Sequence, residues 1–283
     1  MLSLVEMRVI PYPLSPFLQQ FIKAMWVVEE DSGIEVNVNC FPVGYPFINV
    51  ISGARFRLSS ALQTDVEVHS YVSGAFNQPF ALHMRLINRA LTIQLLPHAI
   101  PSFFGWSAHA FKNLLVPLAE VNQALSEALE NEIASSQGSG EVLARCAQIL
   151  EQHCQASGEV DERIPYVFRQ LFLSRGAIKI SDLASSTNVS MRRLQQLFKD
   201  AFGLSPKTYS RVIRMQYHTY QLLQNRGWDT VIPEGYYDQS HFLHELKKQT
   251  NMLPTEYAQH ISDPSKKPAY VSSNLFYQVY HNA

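Results

Sequence analysis

Cysteine is scarce in this chain, with three in 283 residues. An odd number cannot pair completely, and Cys40 stands far from Cys146 and Cys154. The latter two are eight apart, a spacing without a metal-site signature. No disulfide framework is expected, and the three read as plain thiols that behave like small buried hydrophobes. Long apolar runs are missing as well. Hydrophobic residues make up 46% of the chain, yet no run reaches the roughly 18 residues needed to span a bilayer. The opening MLSLVEMRVIPYP has no basic leader and contains the acidic Glu6, so no signal peptide is expected and a cytoplasmic address follows by default. Also lacking are a Ser/His/Asp order, a P-loop and a dinucleotide fingerprint. Catalysis is therefore not expected, and neither is a cofactor.

Strong charge of one sign is absent too, because the net charge is −1. Its distribution is more telling. Residues 1–157 carry 8 Lys/Arg against 13 Asp/Glu, a net of −5, whereas residues 158–262 carry 13 against 10, a net of +3. Basic side chains gather in the second part, as phosphate contact would favour. Serine and glycine clusters at 135–140 and 155–158 mark connections between parts. Before them, Glu35–Phe41, Phe47–Ile51, Val66–Val72 and Ala90–Leu96 read as short strands separated by signals such as Gly44-Tyr45-Pro46. From about 117 to 154 the pattern turns helical, with Leu118, Val121, Leu125 and Leu129 at three- and four-residue steps.

From 162 onward nearly everything reads as helix. Ile164–Leu173 leads to Gly176, and Ser181-Asp182 opens a short helix. Ser190 caps Met191–Phe202, which stops at Gly203, a residue suited to the left-handed position after a helix. Pro206 opens a longer helix to about 224, where its missing N–H is not needed. Asp238 caps another to about 250, and Pro254 opens a last one near 254–261. A shift of 48 residues lays the second half of this region on the first. Ser190 falls on Asp238, Leu194 on Phe242, Phe198 on Leu246, Gly203 on Asn251, Pro206 on Pro254 and Tyr209 on Tyr257. Asn is the next-best occupant of a left-handed position after Gly.

The unit is a helix, a left-handed stop and a Pro-started helix, used twice. A tandem helix-turn-helix supplies a reason for such a duplication. A helix that enters the major groove keeps one face apolar and the other polar and extended. In the first copy Leu194 and Leu197 face the core, while Arg192, Gln195, Gln196 and Lys199 point away, flanked by Met191 and Arg193. Arg pairs with guanine edges and Gln with adenine edges, and Lys199, Lys207, Arg211 and Arg214 are placed for phosphates. The plain alternative is a solvated amphipathic helix, which the repeat outweighs.

Residues 180–214, ISDLASSTNVSMRRLQQLFKDAFGLSPKTYSRVIRM, resemble the first helix-turn-helix of the AraC/XylS regulators of bacteria, and Gly235-Tyr236-Tyr237-Asp238-Gln239-Ser240-His241-Phe242 resembles that family's stretch in the second. The resemblance implies transcription regulation, double-stranded DNA as partner, and two three-helix units joined by one long helix near 206–224. The DNA-contacting set it implies is Ser190, Arg192, Arg193, Gln195, Gln196, Lys199, Lys207 and Arg211, then Gln239, Ser240, His244 and Lys247. Of these Arg192, Gln195, Gln196, Gln239, Ser240 and His244 would read bases. The second unit departs from the pattern. Val231 stands where Ala is usual, Pro233 interrupts a helix at a cost of about 3 kcal/mol, and His244 replaces a frequent Arg with a ring of fewer donors. Residues 228–257 carry a net of −3 against +4 for 180–214. The first unit is expected to dominate affinity. His218, where a small residue is usual, is expected to pack in the core.

The expected architecture is α+β and multidomain. Residues 1–157 form a β-rich, cupin-like sensor or oligomerisation domain ending in helices, residues 158–262 an all-α DNA-binding domain with two helix-turn-helix units, and residues 263–283 an extension. His69, His83, His98 and His109 are scattered rather than clustered with Glu, so no metal is expected. Phe41, Tyr45, Phe103, Phe104 and Trp106 are candidates to line an apolar effector pocket, with simple core filling as the alternative. Val271, Leu275, Phe276, Tyr277 and Tyr280 make the extension too apolar for a purely disordered tail, so packing is expected. Expected partners besides DNA are a small-molecule effector, a second copy of the chain, and RNA polymerase for an activator, but no membrane. The rival readings are a binding protein descended from such regulators with weakened DNA contact, and an enzyme with an appended helical domain.

Overall fold

The structure is a computed structural model that describes residues 8–52, 56–60, 63–135, 137–155, 161–223, 236 and 238–262. Val231, Pro233 and the extension 263–283 lie outside the described residues. The strands are β1 (Arg8–Pro11), β2 (Ile22–Cys40), β3 (Phe47–Ile51), β4 (Phe56–Ser60), β5 (Gln63–Val68), β6 (Ser70–Ser73), β7 (Phe80–Leu95) and β8 (Leu115–Pro117). They pair antiparallel in the order β1-β2-β7-β3-β6-β8. The long β7 is the hub. One edge runs along β2, and the other is shared by β4 near Ala81–Met84 and β3 near Ala90–Gln94.

The strands expected at Glu35–Phe41 and Ala90–Leu96 are thus the ends of much longer ones. In β2 the turn-like Asp31-Ser32-Gly33 does not end the strand. The register with β7 instead shifts between Glu30 and Ile34, a bulge that absorbs the extra residues while pairing resumes. One face of the sheet carries Val27, Ile48, Val50, Leu91 and Ile93, all buried. The helices α1 (Ala99–Phe104), α2 (Leu118–Val121), α3 (Gln123–Ala134) and α4 (Ser139–Gln155) follow. They bring Ile100, Phe103, Leu125, Leu129, Cys146 and Leu150 into the same apolar cluster. Cys146 and Cys154 are buried free thiols, and burial pushes both up to about 12.

The remaining helices are α5 (Arg163–Leu173), α6 (Ile180–Ser186), α7 (Met191–Phe202), α8 (Pro206–Leu223), α9 (Gln239–Thr250) and α10 (Pro254–Ser262). The 48-residue repeat is visible in its caps. Ser190 Oγ accepts from the Arg193 N–H at 3.2 Å, and Asp238 Oδ1 from the His241 N–H at 2.7 Å. Each oxygen satisfies one donor left over by the first helical turn. Gly203 and Asn251 then stop α7 and α9 in the left-handed region, at φ +76° and +58°. Leu194, Phe198, Phe202, Tyr209 and Val212 form one apolar centre, and Met215, Phe242, Leu246 and Tyr257 a second. The single helix α8 supplies residues to both.

Among the described residues the sheet and the helical pairs meet in several places, two of them seams with hydrogen bonds or close backbone contact. The first is the β2–β3 connection, residues 41–46. Phe41 joins the second helical centre, with its ring 5.0 Å from Tyr257 and edge-on to it. Tyr45 meets Phe168 of α5 in the same way at 5.9 Å. Between them the Tyr209 hydroxyl donates to the Gly44 carbonyl at 2.6 Å, and Gln216 donates to the Pro42 carbonyl. The second seam sets the turn after α1 against the end of α7. A Cβ built on Gly203 would lie 2.7 Å from the Ala108 carbonyl oxygen. Gly203 is thus held by two demands, a positive φ and a close backbone neighbour. Gly203→Ala should destabilise the chain by about 1–3 kcal/mol. Urea unfolding measures this, and an unchanged midpoint would show that the seam gives way freely.

Candidate nucleic-acid interface

The candidate recognition helix of the first unit, α7, is built from a strict division of faces. Along α7 Leu194, Phe198 and Phe202 are buried, with Phe198 and Phe202 stacked 4.0 Å apart. Ser190, Arg192, Arg193, Gln195, Gln196 and Lys199 are all exposed. The 3.6-residue period therefore leaves one long polar edge free of the core. The Gln196 amide donates to both Asp200 oxygens at 3.1 and 2.9 Å, one helical turn on. Arg192 and Gln195 stand beside it on the solvent side.

The candidate recognition helix of the second unit, α9, repeats the arrangement with less charge. Gln239, Ser240, His244, Lys247 and Lys248 are exposed, while Phe242 and Leu246 are buried. Lys247 Nζ donates at 2.9 Å to the carbonyl of Asn251, the residue that ends its own helix. That contact satisfies a leftover acceptor and draws Lys247 along the helix end. His218 is buried against Tyr236 and Phe242.

Between the units lies a groove of about 910 Å³ whose walls include Lys179, Lys207, Arg211 and Arg214, with Asp238 and Glu245 opposite. Lys207 is exposed. Arg211 is only partly so, because its Nε faces the buried Glu245 carboxylate at 3.6 Å. Gln249 of the same helix donates to the Arg211 carbonyl at 3.2 Å. Arg211 therefore ties α8 to α9 across the two units, a role that its sequence position did not disclose. Arg214 Nη2 donates to the Gly176 carbonyl at 2.8 Å and lies over the Tyr236 ring. Lys179 joins this basic lining from the start of α6, although no spacing argument had pointed to it.

A family model described as a helix-turn-helix domain matches residues 183–260, the span that holds both capped units. Residues 183–260 thus carry an AraC-type helix-turn-helix domain. A second model, described as a domain of unknown function (DUF6597), matches residues 11–117. Among curated proteins the lactose operon transcription activator of Staphylococcus xylosus is 36% identical over 95 residues. That stretch is 32% of this chain and 33% of the relative, so the match spans about a third of either protein. Among solved structures, ToxT from Vibrio cholerae O395 overlaps 83% of this chain and 96% of its own, at 13% identity and a TM-score of 0.42. The AraC-like transcriptional activator CuxR covers 77% of this chain and 88% of its own at 14% identity and a TM-score of 0.27. Overlaps as loose as these say nothing of what this chain binds.

The five aromatics expected around an effector do not meet in one cavity. Phe41 and Tyr45 plug the helical units, Phe103 belongs to the core under the sheet, and Phe104 packs beside it. Trp106 is 52% exposed. The physical reason is that α1 and the β2–β3 connection leave the sheet toward different neighbours. Among the described residues no group of three His, Cys, Asp or Glu side chains is placed to hold a metal ion. No described helix is long and apolar enough to cross a membrane.

Proposed function

We propose that this chain is a sequence-specific DNA-binding regulator of transcription whose β-rich part responds to a small-molecule effector. The observation that carries the reading is the pair of capped, outward-facing helices hung on one connecting helix. At 1.5 Å per residue, α8 spans roughly 27 Å, somewhat less than the ~34 Å turn of DNA that separates successive major grooves. Arg192, Gln195 and Gln196 are the bases' readers in the first groove, and Gln239, Ser240 and His244 in the second. Lys199 and Lys207 neutralise phosphates, which makes affinity fall with salt. The effector acts by favouring one docking state of the sheet on the helical units over another, which requires a difference in its affinity for the two. RNA polymerase is the further partner of an activator, and a second copy of the chain would read a second half-site.

The two units should contribute unequally. Arg192→Ala removes a candidate bidentate base contact worth about 1–3 kcal/mol, a loss of roughly 10- to 100-fold. His244→Ala removes a side chain with fewer donors from an acidic unit, and should cost under about 1 kcal/mol. The measurement is fluorescence anisotropy at fixed salt on DNA selected from a random pool. Failure to select any sequence overturns the regulator reading. Equal losses in the two variants overturn the asymmetry alone.

A further inference from the structure

Single apolar side chains in contact with water are common and by themselves need no explanation. Leu243 of α9 differs because of where it stands. It is 37% exposed, and its neighbours one turn away along the helix, Gln239, Ser240 and Lys247, are exposed as well. The 48-residue shift lays Leu243 on Gln195, an exposed amide in the candidate recognition helix of the first unit. Where one unit offers a hydrogen-bonding side chain, the other offers only a branched hydrocarbon.

The rotation of α9 that turns this side chain outward is fixed from the far side of the helix. Phe242 and Leu246 are buried in the second apolar centre. Glu245, also buried, faces Arg211 Nε at 3.6 Å, and Gln249 donates to the Arg211 carbonyl at 3.2 Å. At about 3.6 residues per turn, Glu245 lies roughly 160° round the helix from Leu243. The tie to α8 and the leucine are therefore nearly opposed. Lys247, one turn on, leans away. Its ammonium reaches forward to the Asn251 carbonyl at 2.9 Å, and Leu243 keeps its exposure.

We propose that Leu243 reads a thymine, its branched side chain packing on the C5 methyl group in the major groove. That methyl distinguishes a thymine edge from the other three bases there, and it is met by apolar contact rather than by a hydrogen bond. Such a contact needs no positive charge, which suits a unit whose residues 228–257 carry a net of −3. A protein partner is the rival occupant. Protein docking sites are contiguous apolar patches, whereas this leucine is set among Gln239, Ser240 and Lys247. A lone hydrocarbon among polar groups fits the edge of a base pair better. The inference rests on the regulator reading and gives its second unit a base preference.

The test is fluorescence anisotropy of the full chain at fixed salt, on DNA selected from a random pool. Each thymine is replaced in turn by deoxyuridine, which lacks only the C5 methyl group. At one position or more, uracil should weaken the native chain roughly fourfold, the worth of one buried methyl group. Leu243→Ala should lose roughly as much on the thymine DNA. At one of those positions it should lose nothing further when thymine becomes uracil. Unchanged circular dichroism checks that the variant is folded. A merely structural leucine would weaken thymine and uracil DNA alike when replaced and leave every uracil effect in place, which overturns the proposal. A native chain indifferent to uracil throughout overturns it without any variant. Normal DNA binding by Leu243→Ala with a changed oligomeric state in sedimentation assigns the side chain to protein contact and overturns it too. In all these outcomes the native chain still binds its selected DNA, so the regulator reading stands. Failure to select any DNA overturns both.

Discussion

Tyr209→Ala is expected to destabilise the full chain by about 3–5 kcal/mol, the usual loss for truncating a large buried ring. Tyr209 is fully buried. Its ring stands edge-on to Phe198 and Phe202 at 5.4 Å and to Phe168 at 6.2 Å. The surrounding side chains come from three helices and cannot collapse together into the space left. Burial also raises the phenol well above its ordinary range, so the hydroxyl remains a donor to Gly44 at any working pH. Tyr209→Phe separates the two contributions. It keeps the ring and deletes one hydrogen bond, which costs about 1 kcal/mol. Urea unfolding of both variants supplies the numbers. A Tyr209→Ala loss below about 1 kcal/mol would mean that the two halves are not held by this contact.

Acidification should weaken the fold through His98. The ring is held at about 4 against 6.5 for a free histidine, chiefly by burial. Between those values the unfolded chain takes up a proton that the folded chain refuses, so stability falls as pH falls. The contribution is complete above about pH 6.5 and is lost on the way down through about pH 4. Two and a half pH units correspond to roughly 3 kcal/mol. Carboxylates titrate near the bottom of the same window, which is why the comparison with His98→Gln isolates the effect. Unfolding free energies at pH 7.5, 5.5 and 4.5 should converge for the two proteins as pH drops. Parallel curves would show that His98 is protonated freely in the folded state.

Much of the helical half was legible in the sequence because its signals are local. The caps Ser190 and Asp238 and the stops Gly203 and Asn251 act within one turn of their own helices. The bounds Met191–Phe202 were accordingly read without error. The sheet was legible in kind but not in extent. Only the apolar end of β7 was recognised, because its first half gains its place from β2 and β4, both distant in sequence. The repeat concealed something as well. It set Tyr209 on Tyr257 as equivalents, yet one hydroxyl reaches Gly44 and the other meets Thr219 Oγ1 at 2.8 Å within its own unit. No spacing rule could separate them, since the difference lies in a partner 165 residues away. The candidate pocket failed to assemble for a related reason. Aromatic residues announce that they will be covered, and composition does not say by what.

The β2–β3 connection also has a history within each molecule. A ribosome adding about 5–20 residues per second makes Gly44 roughly 8–30 s before the tyrosine that it grips, 165 positions later. Early in that interval Phe41 and Tyr45 are both synthesised but uncovered, since Phe168, which meets Tyr45, and Tyr257, which meets Phe41, are still to be made. The nascent chain thus shows two aromatic rings at a fixed place until α5 is made, and one of them until α10 is. That is the stage at which chaperones would engage it, and slow codons between 118 and 209 would prolong it.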